Sequence, residues 1–274
     1  MNYIIANANQ KGGVGKTTIT RETGIFIART GKKTLLVDID PQGNLTKSLM
    51  DEPDTGLYEA LCGNDYEVQE VMPDLFLLAG SIKLAGLEKA LIGEIDAYTR
   101  LKELLADVLF NDFDYIMFDC PPSLGVLTVN ALTAADCFLI PMNPALYSLQ
   151  GTNDLMQTVS KVRNNLNKDL ALLGVVINAF DSIPVITRQI REEIETVFGS
   201  KVFKTALSKS IKIEEAIAER SGVVSLKKGK VKDEIELISR ELIQRVEGAI
   251  ASCFLSKRDS GSGAGMTGIV KGAL

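Results

Sequence analysis

A glycine-rich turn followed by Lys-Thr-Thr lies near the start of the chain. Residues 11–18 read Lys-Gly-Gly-Val-Gly-Lys-Thr-Thr. Glycines let backbone N–H groups point at an anion, and the N-terminus of a following helix adds partial positive charge. We therefore expect Lys16 to reach the β- and γ-phosphates of a nucleotide and the Thr17 hydroxyl to ligate Mg²⁺. The predicted phosphate cradle comprises Gly12, Gly13, Val14, Gly15, Lys16, Thr17 and Thr18.

Three aspartates, Asp38, Asp40 and Asp119, stand at or just beyond the ends of apolar segments. A buried carboxylate at a strand end needs a cation or hydrogen-bond donors, and the Mg²⁺ of a bound nucleotide would supply the cation. Alternatively, an aspartate here caps the helix that follows. The chain has no histidine. Phosphoryl transfer depends mainly on positioning and charge neutralisation, so it does not require a histidine base.

The elements that must position these residues form an alternating pattern. Apolar runs predict strands at residues 4–6, 34–38, 115–119, 137–141 and 172–178. A helix is expected from Lys16 to about Thr30, and further helical patterns lie near 95–110, 147–166, 184–198 and 232–256. Apolar strands separated by helices predict an α/β fold: a single P-loop NTPase domain with a mostly parallel twisted sheet and helices on both faces.

The remaining segments are less regular. Residues 68–71 and 75–78 flank Pro73-Asp74 and predict an edge hairpin. A Ser/Gly-rich stretch follows the last helical pattern, so we assign 1–257 to one domain and 258–274 to a flexible tail.

The bulk composition restricts the classes of partner. Of 274 residues, 46% are hydrophobic and 24% charged, which is typical of a globular protein. The net charge of −5 means that any nucleic-acid site must be a local patch. No two of the four cysteines form a Cys-x-x-Cys pair, which argues against a zinc or cluster site. Without a basic leader or an apolar run of about 20 residues, we expect a cytoplasmic protein.

The loop departs from the standard phosphate-loop pattern at two positions. Gln10 stands where a glycine is usual, and Lys11 precedes the double glycine. With residues 9–18, 36–46 and 118–125, the chain resembles the deviant-Walker-A ATPases of the ParA/MinD superfamily, and most of all the ParA/Soj partition ATPases. Residues 202–205 and 215–216 fit later segments of that family, so the resemblance covers about 1–250.

The resemblance implies roles for individual residues. Asp119 would hold Mg²⁺ through water, Asp40 would position the attacking water, and Asp38 would be an accessory carboxylate on the Mg²⁺ side. Lys11 resembles the signature lysine that crosses to the partner's phosphates in an ATP-sandwich dimer, so the catalytic set is Lys11, Lys16 and Asp40. The family also implies ATP hydrolysis to ADP and phosphate, slow without a partner. Asn178 is either an adenine contact or a simple strand cap.

The resemblance further implies non-specific DNA binding by the ATP dimer through basic residues of the C-terminal half. Lysine and arginine outnumber aspartate and glutamate between residues 200 and 232, although a solvated charged face would look the same. At 208–212 the chain has Ser-Lys-Ser-Ile-Lys where the family usually has Pro-Arg-Asn-Val-Arg. This keeps the charge but loses the bidentate geometry of arginine. The candidates are Arg188, Lys204, Lys209, Lys212 and Arg220.

The implied function is plasmid or chromosome segregation by a nucleoid-associated ATPase. A ParB-like centromere-binding protein would stimulate hydrolysis and release the dimer from DNA. The alternative is a MinD-like membrane-positioning ATPase, which needs a basic amphipathic C-terminal helix. Residues 266–274 carry a single lysine, so no stable membrane association is expected. An iron–sulfur carrier is disfavoured because Cys-x-x-Cys is missing.

Overall fold

The computed structural model describes residues 2–144, 148–178 and 185–261, with ten α-helices and seven strands in these ranges. The strands are β1 (Tyr3–Asn7), β2 (Thr34–Asp38), β3 (Gln69–Met72), β4 (Leu75–Leu78), β5 (Tyr115–Asp119), β6 (Cys137–Met142) and β7 (Ala171–Ile177). The helices are α1 (Lys16–Ala28), α2 (Asn44–Leu49), α3 (Leu57–Leu61), α4 (Lys83–Ala90), α5 (Arg100–Leu104), α6 (Val126–Ala134), α7 (Ser148–Asn165), α8 (Val185–Phe198), α9 (Ile211–Ala218) and α10 (Lys230–Gly261).

The seven strands form one sheet in the order β3-β4-β2-β5-β1-β6-β7. All neighbouring pairs are parallel except β3 and β4, which form the predicted antiparallel hairpin at the sheet edge. The register places Asp38 beside Asp119 and Asn7 on the other side of Asp119. The carboxyl edge of the sheet therefore presents three polar side chains in one row.

Side chains alternate between the two faces of the sheet, and each face has its own apolar core. One core joins Ala6, Phe118 and Ile140 to buried residues of α6, α7 and α8. The other joins Ile5 and Met117 to buried residues of α1, α9 and α10. Both faces of the parallel strands are covered, which explains their continuous apolar sequences. The predicted fold class is confirmed.

The helical pattern expected near 95–110 was wrong in its extent. Only α5 lies there, followed by a 3₁₀ helix at Val108–Asp112. The Asp107 carboxylate accepts a hydrogen bond from the Leu109 N–H over 3.0 Å and so begins a new helical segment. Helix α1 also ends at Ala28, earlier than expected.

The last helix, α10, runs longer than the sequence pattern indicated. It begins at Lys230 and ends at Gly261, so residues 258–261 of the predicted tail are helical. The rest of that tail lies outside the described residues and stays a prediction. In the described part of the chain, no helix has the length and apolar character to cross a membrane.

Candidate active site

The glycine-rich loop joins β1 to α1 at the carboxyl edge of the sheet. Gly13 and Gly15 have φ of 71° and 88°, a conformation that side-chain-bearing residues adopt rarely. Asn9 braces the loop, because its Oδ1 accepts from Lys11 N over 3.0 Å and its Nδ2 donates to Pro141 O over 2.8 Å. Asn143 Nδ2 donates to Gly13 O over 2.9 Å. Sequence reasoning missed both asparagines as loop supports.

Lys16 is the first residue of α1 and is only 7% exposed. Its ammonium donates to the Lys11 carbonyl over 3.4 Å. Burial lowers the pKa of Lys16, while the charges of Asp119 and Asp40 oppose that shift. A buried ammonium at the start of a helix favours a nearby anion, as a nucleotide phosphate would provide.

Thr17 and Asp119 meet at the base of the cradle. Thr17 Oγ1 donates to Asp119 Oδ2 over 2.6 Å. The other oxygen, Oδ1, is buried and accepts no hydrogen bond from the described residues. Burial raises the pKa of Asp119 well above its usual range, and the neighbouring Asp38 raises it further. A hydroxyl and a carboxylate with an open oxygen fit the oxygen-only preference of Mg²⁺.

Asp38 is fully buried and supports the loop that follows β2. Its Oδ2 accepts from both the N–H and the hydroxyl of Thr46 over 2.8 Å, and its Oδ1 accepts from Asp40 N over 3.2 Å. Thr46 lies in the first turn of α2, so the geometry matches the helix-capping alternative. Burial raises the pKa of Asp38 to about 6. Its role toward Mg²⁺ stays a prediction.

Asp40 lies in a tight turn beside the glycine-rich loop. Its Oδ1 accepts from Gln42 N and its carbonyl accepts from Gly43 N, both over 2.9 Å. Gly43 makes the turn possible with φ of 62°. Asp40 lines the same cleft as Lys16, and its role in positioning the attacking water stays a prediction.

Asn178 follows β7 and contacts the loop from the other side. Its backbone N–H donates to Met142 O over 2.8 Å, and its Nδ2 donates to Val14 O over 2.9 Å. A Cβ built on Gly15 would lie 1.9 Å from Asn178 Nδ2, so only glycine fits there. Asn178 therefore supports the loop and lines the cleft, while the adenine contact stays a prediction.

The cleft has a volume of about 950 Å³ and reaches from the glycine-rich loop to the segment before α9. Its lining includes Gly12, Gly13, Gly15, Lys16, Thr17, Thr18, Asp40 and Asn178 of the predicted site. Val14 is buried, whereas Lys11 and Gly12 are exposed. Eight of the predicted nucleotide-site residues thus line one cleft, whereas Asp38 and Asp119 are fully buried and do not line it.

The predicted DNA-binding residues are distributed more widely. Lys209 lines the cleft itself. Lys204 is exposed, and Lys212 forms an ion pair with Glu215 over 2.6 Å. Arg220 forms an ion pair with Asp51. Arg188 belongs to α8, but its side chain lies outside the described part of the structure.

A buried ion pair between Arg21 and Glu22 of α1 was also missed from the sequence. Arg21 Nη2 donates to Ser221 O over 2.6 Å, and Glu22 Oε2 accepts from Val223 N over 2.8 Å. The pair ties the helix of the phosphate loop to the segment that follows α9. Its partners are about two hundred positions away in sequence, beyond any local pattern.

The sequence of the chain is also similar to those of known proteins. An AAA domain family model matches residues 2–172. The sporulation initiation inhibitor protein Soj of Bacillus subtilis (strain 168) is 42% identical over 224 residues, covering 79% of this chain and 88% of that protein. The chromosome partitioning protein ParA of Caulobacter vibrioides is 36% identical over 221 residues, covering 78% and 83%.

The fold of the chain is similar to that of a solved structure over most of the length of both chains. Cobyrinic acid a,c-diamide synthase from Mycobacterium smegmatis, with bound ADP and magnesium, superposes with a TM-score of 0.79 at 32% identity. The match covers 90% of this chain and 96% of that one.

Proposed function

The chain belongs to the ParA/Soj family of partition ATPases, and we propose that it partitions DNA as an ATP-dependent dimer. We propose that ATP and Mg²⁺ bind in the cleft, and the ADP and magnesium contained in the similar M. smegmatis structure support this proposal. The observation that carries the proposal is the contact of Thr17 with Asp119 beneath a glycine cradle that is closed by the buried Lys16.

The residues present fit the nucleotide and its metal. The backbone of Gly13 and Gly15 has the left-handed geometry of an anion-binding turn, and Lys16 supplies a buried positive charge. The Thr17 hydroxyl and the Asp119 carboxylate would face Mg²⁺, which neutralises phosphate charge when bound. Asp40 would orient the attacking water at the open side of the cleft.

We propose that dimers form through the exposed residues of the glycine-rich loop. Lys11 and Gly12 are exposed in the protomer, so they are accessible to a second copy. We propose that Lys11 reaches the partner's phosphates and stabilises charge in the transition state, as an arginine finger does. A dimer held by two nucleotides would form with ATP and separate after hydrolysis.

DNA binding is proposed for the basic surface around α9. Lys209 lines the nucleotide cleft, while Lys204 and Lys212 are exposed on the chain segments around it. Nucleotide-dependent assembly would bring two such surfaces together and so raise affinity for the phosphate backbone. In this proposal the protein is cytoplasmic and associated with nucleoid DNA, and a ParB-like protein stimulates hydrolysis to release it.

DNA binding measured against salt, with ATP, with ADP and without nucleotide, tests the proposal. We expect binding only with ATP, with an affinity that falls steeply as salt rises. Lys204→Glu with Lys212→Glu should reduce the log–log salt slope by about 0.9 for each phosphate that the protein no longer neutralises. Lys89→Glu with Lys102→Glu, exposed lysines on α4 and α5, makes the same charge change and should have little effect. Binding to anionic liposomes but not DNA would instead select the membrane-positioning alternative.

A further inference from the structure

Asn7, the last residue of β1, is a buried amide with no assigned role. Its side chain is 0% exposed, and neither Nδ2 nor Oδ1 has a hydrogen-bond partner among the described residues. Nearly all buried side-chain amides in proteins are hydrogen-bonded. The strand around it is otherwise apolar, and a leucine would fill the same space without a polar group. Asn7 therefore points to a specific polar partner.

The sheet register identifies that partner. Asn7 lies directly beside Asp119 in the parallel pair β1–β5, and Asp119 lies beside Asp38 in β5–β2. Side-chain alternation places Asn7 on the same face as Ile5, which packs in the core under α1 and α10. Asp119 is on that face as well, because Thr17 of α1 donates to it. The two side chains therefore project into the same space under the first turn of α1.

The two residues have complementary unsatisfied atoms. Asp119 Oδ1 is buried without a partner among the described residues, while its Oδ2 is held by Thr17. Adjacent strands lie about 4.8 Å apart. Two hydrogen bonds of about 2.8 Å that meet at one water molecule span roughly this distance. The spacing suits a water bridge between the amide and the carboxylate.

We infer that Asn7 is a positioning residue that holds Asp119 through a buried water. The water would orient the Asp119 carboxylate from the side opposite Thr17 and so fix the direction in which it meets the Mg²⁺ of the nucleotide. Partners of metal-facing carboxylates commonly tune metal affinity in this way. The inference rests on the proposed function of the cleft and adds a residue from outside the glycine-rich loop.

Asn7→Leu tests the inference, because leucine has a similar volume and cannot hydrogen-bond. Nucleotide binding is measured by calorimetry with an ATP analogue, in EDTA and at increasing Mg²⁺. We expect the half-saturating Mg²⁺ concentration to rise on the order of 10-fold, with binding in EDTA unchanged. The urea midpoint of the apo protein should change little, since leucine fills the same space and only a water-mediated hydrogen bond is lost.

A matched control uses Asn130 in α6, a second well-buried asparagine, which lies away from the glycine-rich loop. Its Nδ2 donates to Ala97 O and Val126 O, and its Oδ1 accepts from Leu101 N. Asn130→Leu should lower the urea midpoint and leave the Mg²⁺ dependence unchanged. If Asn7→Leu does not fold, Asn7→Ala and Asn7→Ser give the same comparison, because serine keeps a hydroxyl for the water and alanine does not.

The results distinguish failure of the proposed function of the cleft from failure of the proposed role of Asn7. Absence of Mg²⁺-dependent nucleotide binding in the unmodified protein would contradict the proposed function of the cleft. Normal Mg²⁺ dependence in the unmodified protein together with the same dependence in Asn7→Leu would overturn the inference on Asn7 alone. A crystal structure of the nucleotide complex with no water between Asn7 and Asp119 would also overturn it.

Discussion

Thr17 Oγ1 donates a hydrogen bond to Asp119 Oδ2 over 2.6 Å, and this contact joins the first turn of α1 to the end of β5. The residues are about a hundred positions apart in sequence, and the parallel sheet brings them together at its carboxyl edge. The glycine-rich loop and the aspartate therefore form one site. The contact also holds the hydroxyl in place before any cation is bound.

Replacing Thr17 by valine should separate metal binding from nucleotide binding. The change keeps the shape of the side chain but removes the hydroxyl that faces Asp119. We expect Mg²⁺-dependent ATP affinity to fall by about 10–100-fold, with little change of affinity in EDTA. Thr17→Ser keeps the hydroxyl and serves as the control. Calorimetric titration with ATP measures the affinity of both variants with Mg²⁺ and in EDTA. Equal Mg²⁺ dependence in the valine and serine variants would contradict the role of the Thr17 hydroxyl.

Gly12→Val should block dimer formation without harming the protomer. Among the described residues, a Cβ at Gly12 meets only Pro122 Cβ, at 3.9 Å, which is ordinary van der Waals contact. The added side chain therefore fits within one copy but obstructs a second copy at the exposed face of the loop. ATP affinity should persist, and analytical ultracentrifugation with ATP should show monomers.

The measurement is made with Gly12→Val introduced into an Asp40→Ala variant. In Asp40→Ala alone we expect ATP binding without hydrolysis and hence a trapped dimer. Gly86→Val on α4 is the matched control, because a Cβ at Gly86 has no atom of the described part of the chain within 4 Å. A Gly12→Val variant that still dimerises with ATP would place the interface elsewhere on the molecule.

The sequence predicted the site best where the residues are local. Lys16, Thr17 and the flanking glycines lie within one short motif, so spacing alone placed them at the start of a helix. The strands ending at Asp38 and Asp119 were predictable because strands covered on both faces are continuously apolar. The edge hairpin was predictable from the Pro73-Asp74 turn.

What the sequence left open depends on pairing across the fold. Thr46 was not identified as the partner of Asp38, because two donors from the next helix can be assigned only once that helix is placed. Asn7 lies just beyond the strand predicted at residues 4–6, and its proposed importance comes from the register with Asp119, which is known only once the sheet is placed. Arg21 and Glu22 were not singled out in the sequence, yet both are 0% exposed. Ala216, Ser221 and Val223 form hydrogen bonds with them from about two hundred positions further along the chain, and no local pattern predicts such contacts.

The raised pKa of Asp38 predicts a pH dependence of stability. Its pKa is about 6 in the fold, against 3.8 for an ordinary aspartate, because burial disfavours the charge. The folded state therefore binds more protons than the unfolded state between these values. The stabilising contribution of protonated Asp38 is fully present below about pH 4 and is lost as pH rises through about 6.

Asp38→Asn, which cannot ionise, isolates this effect. The unfolding free energy of the variant relative to the unmodified protein should increase by about 1–3 kcal/mol between pH 5 and pH 8, since one pKa unit corresponds to about 1.4 kcal/mol. Urea unfolding without nucleotide and with EDTA measures it. No histidine titrates in this window, because the chain has none. A difference that does not vary with pH would show that Asp38 is ionised throughout.

The buried pair of Arg21 and Glu22 predicts strongly coupled effects on stability. Arg21→Met leaves the Glu22 carboxylate buried without its cation, which costs about 3–5 kcal/mol at neutral pH. Burial already raises the pKa of Glu22, and Arg21 opposes that shift. Without Arg21 the carboxyl group should become protonated as pH falls, so the destabilisation should be smaller at pH 5.5 than at pH 8.

The double variant Arg21→Met with Glu22→Gln tests this account, because glutamine still accepts a hydrogen bond from Val223 N–H. The unmodified protein, the two single variants and the double variant form a double-mutant cycle that is measured by urea unfolding. The double variant should lose less stability than the sum of the losses in the single variants, by about 0.5–3 kcal/mol. The control cycle, Lys212→Met with Glu215→Gln, removes an ion pair whose side chains are 53% and 49% exposed, and its coupling should not be measurable. Additive effects of Arg21→Met and Glu22→Gln would contradict the pair as the link between α1 and the segment after α9.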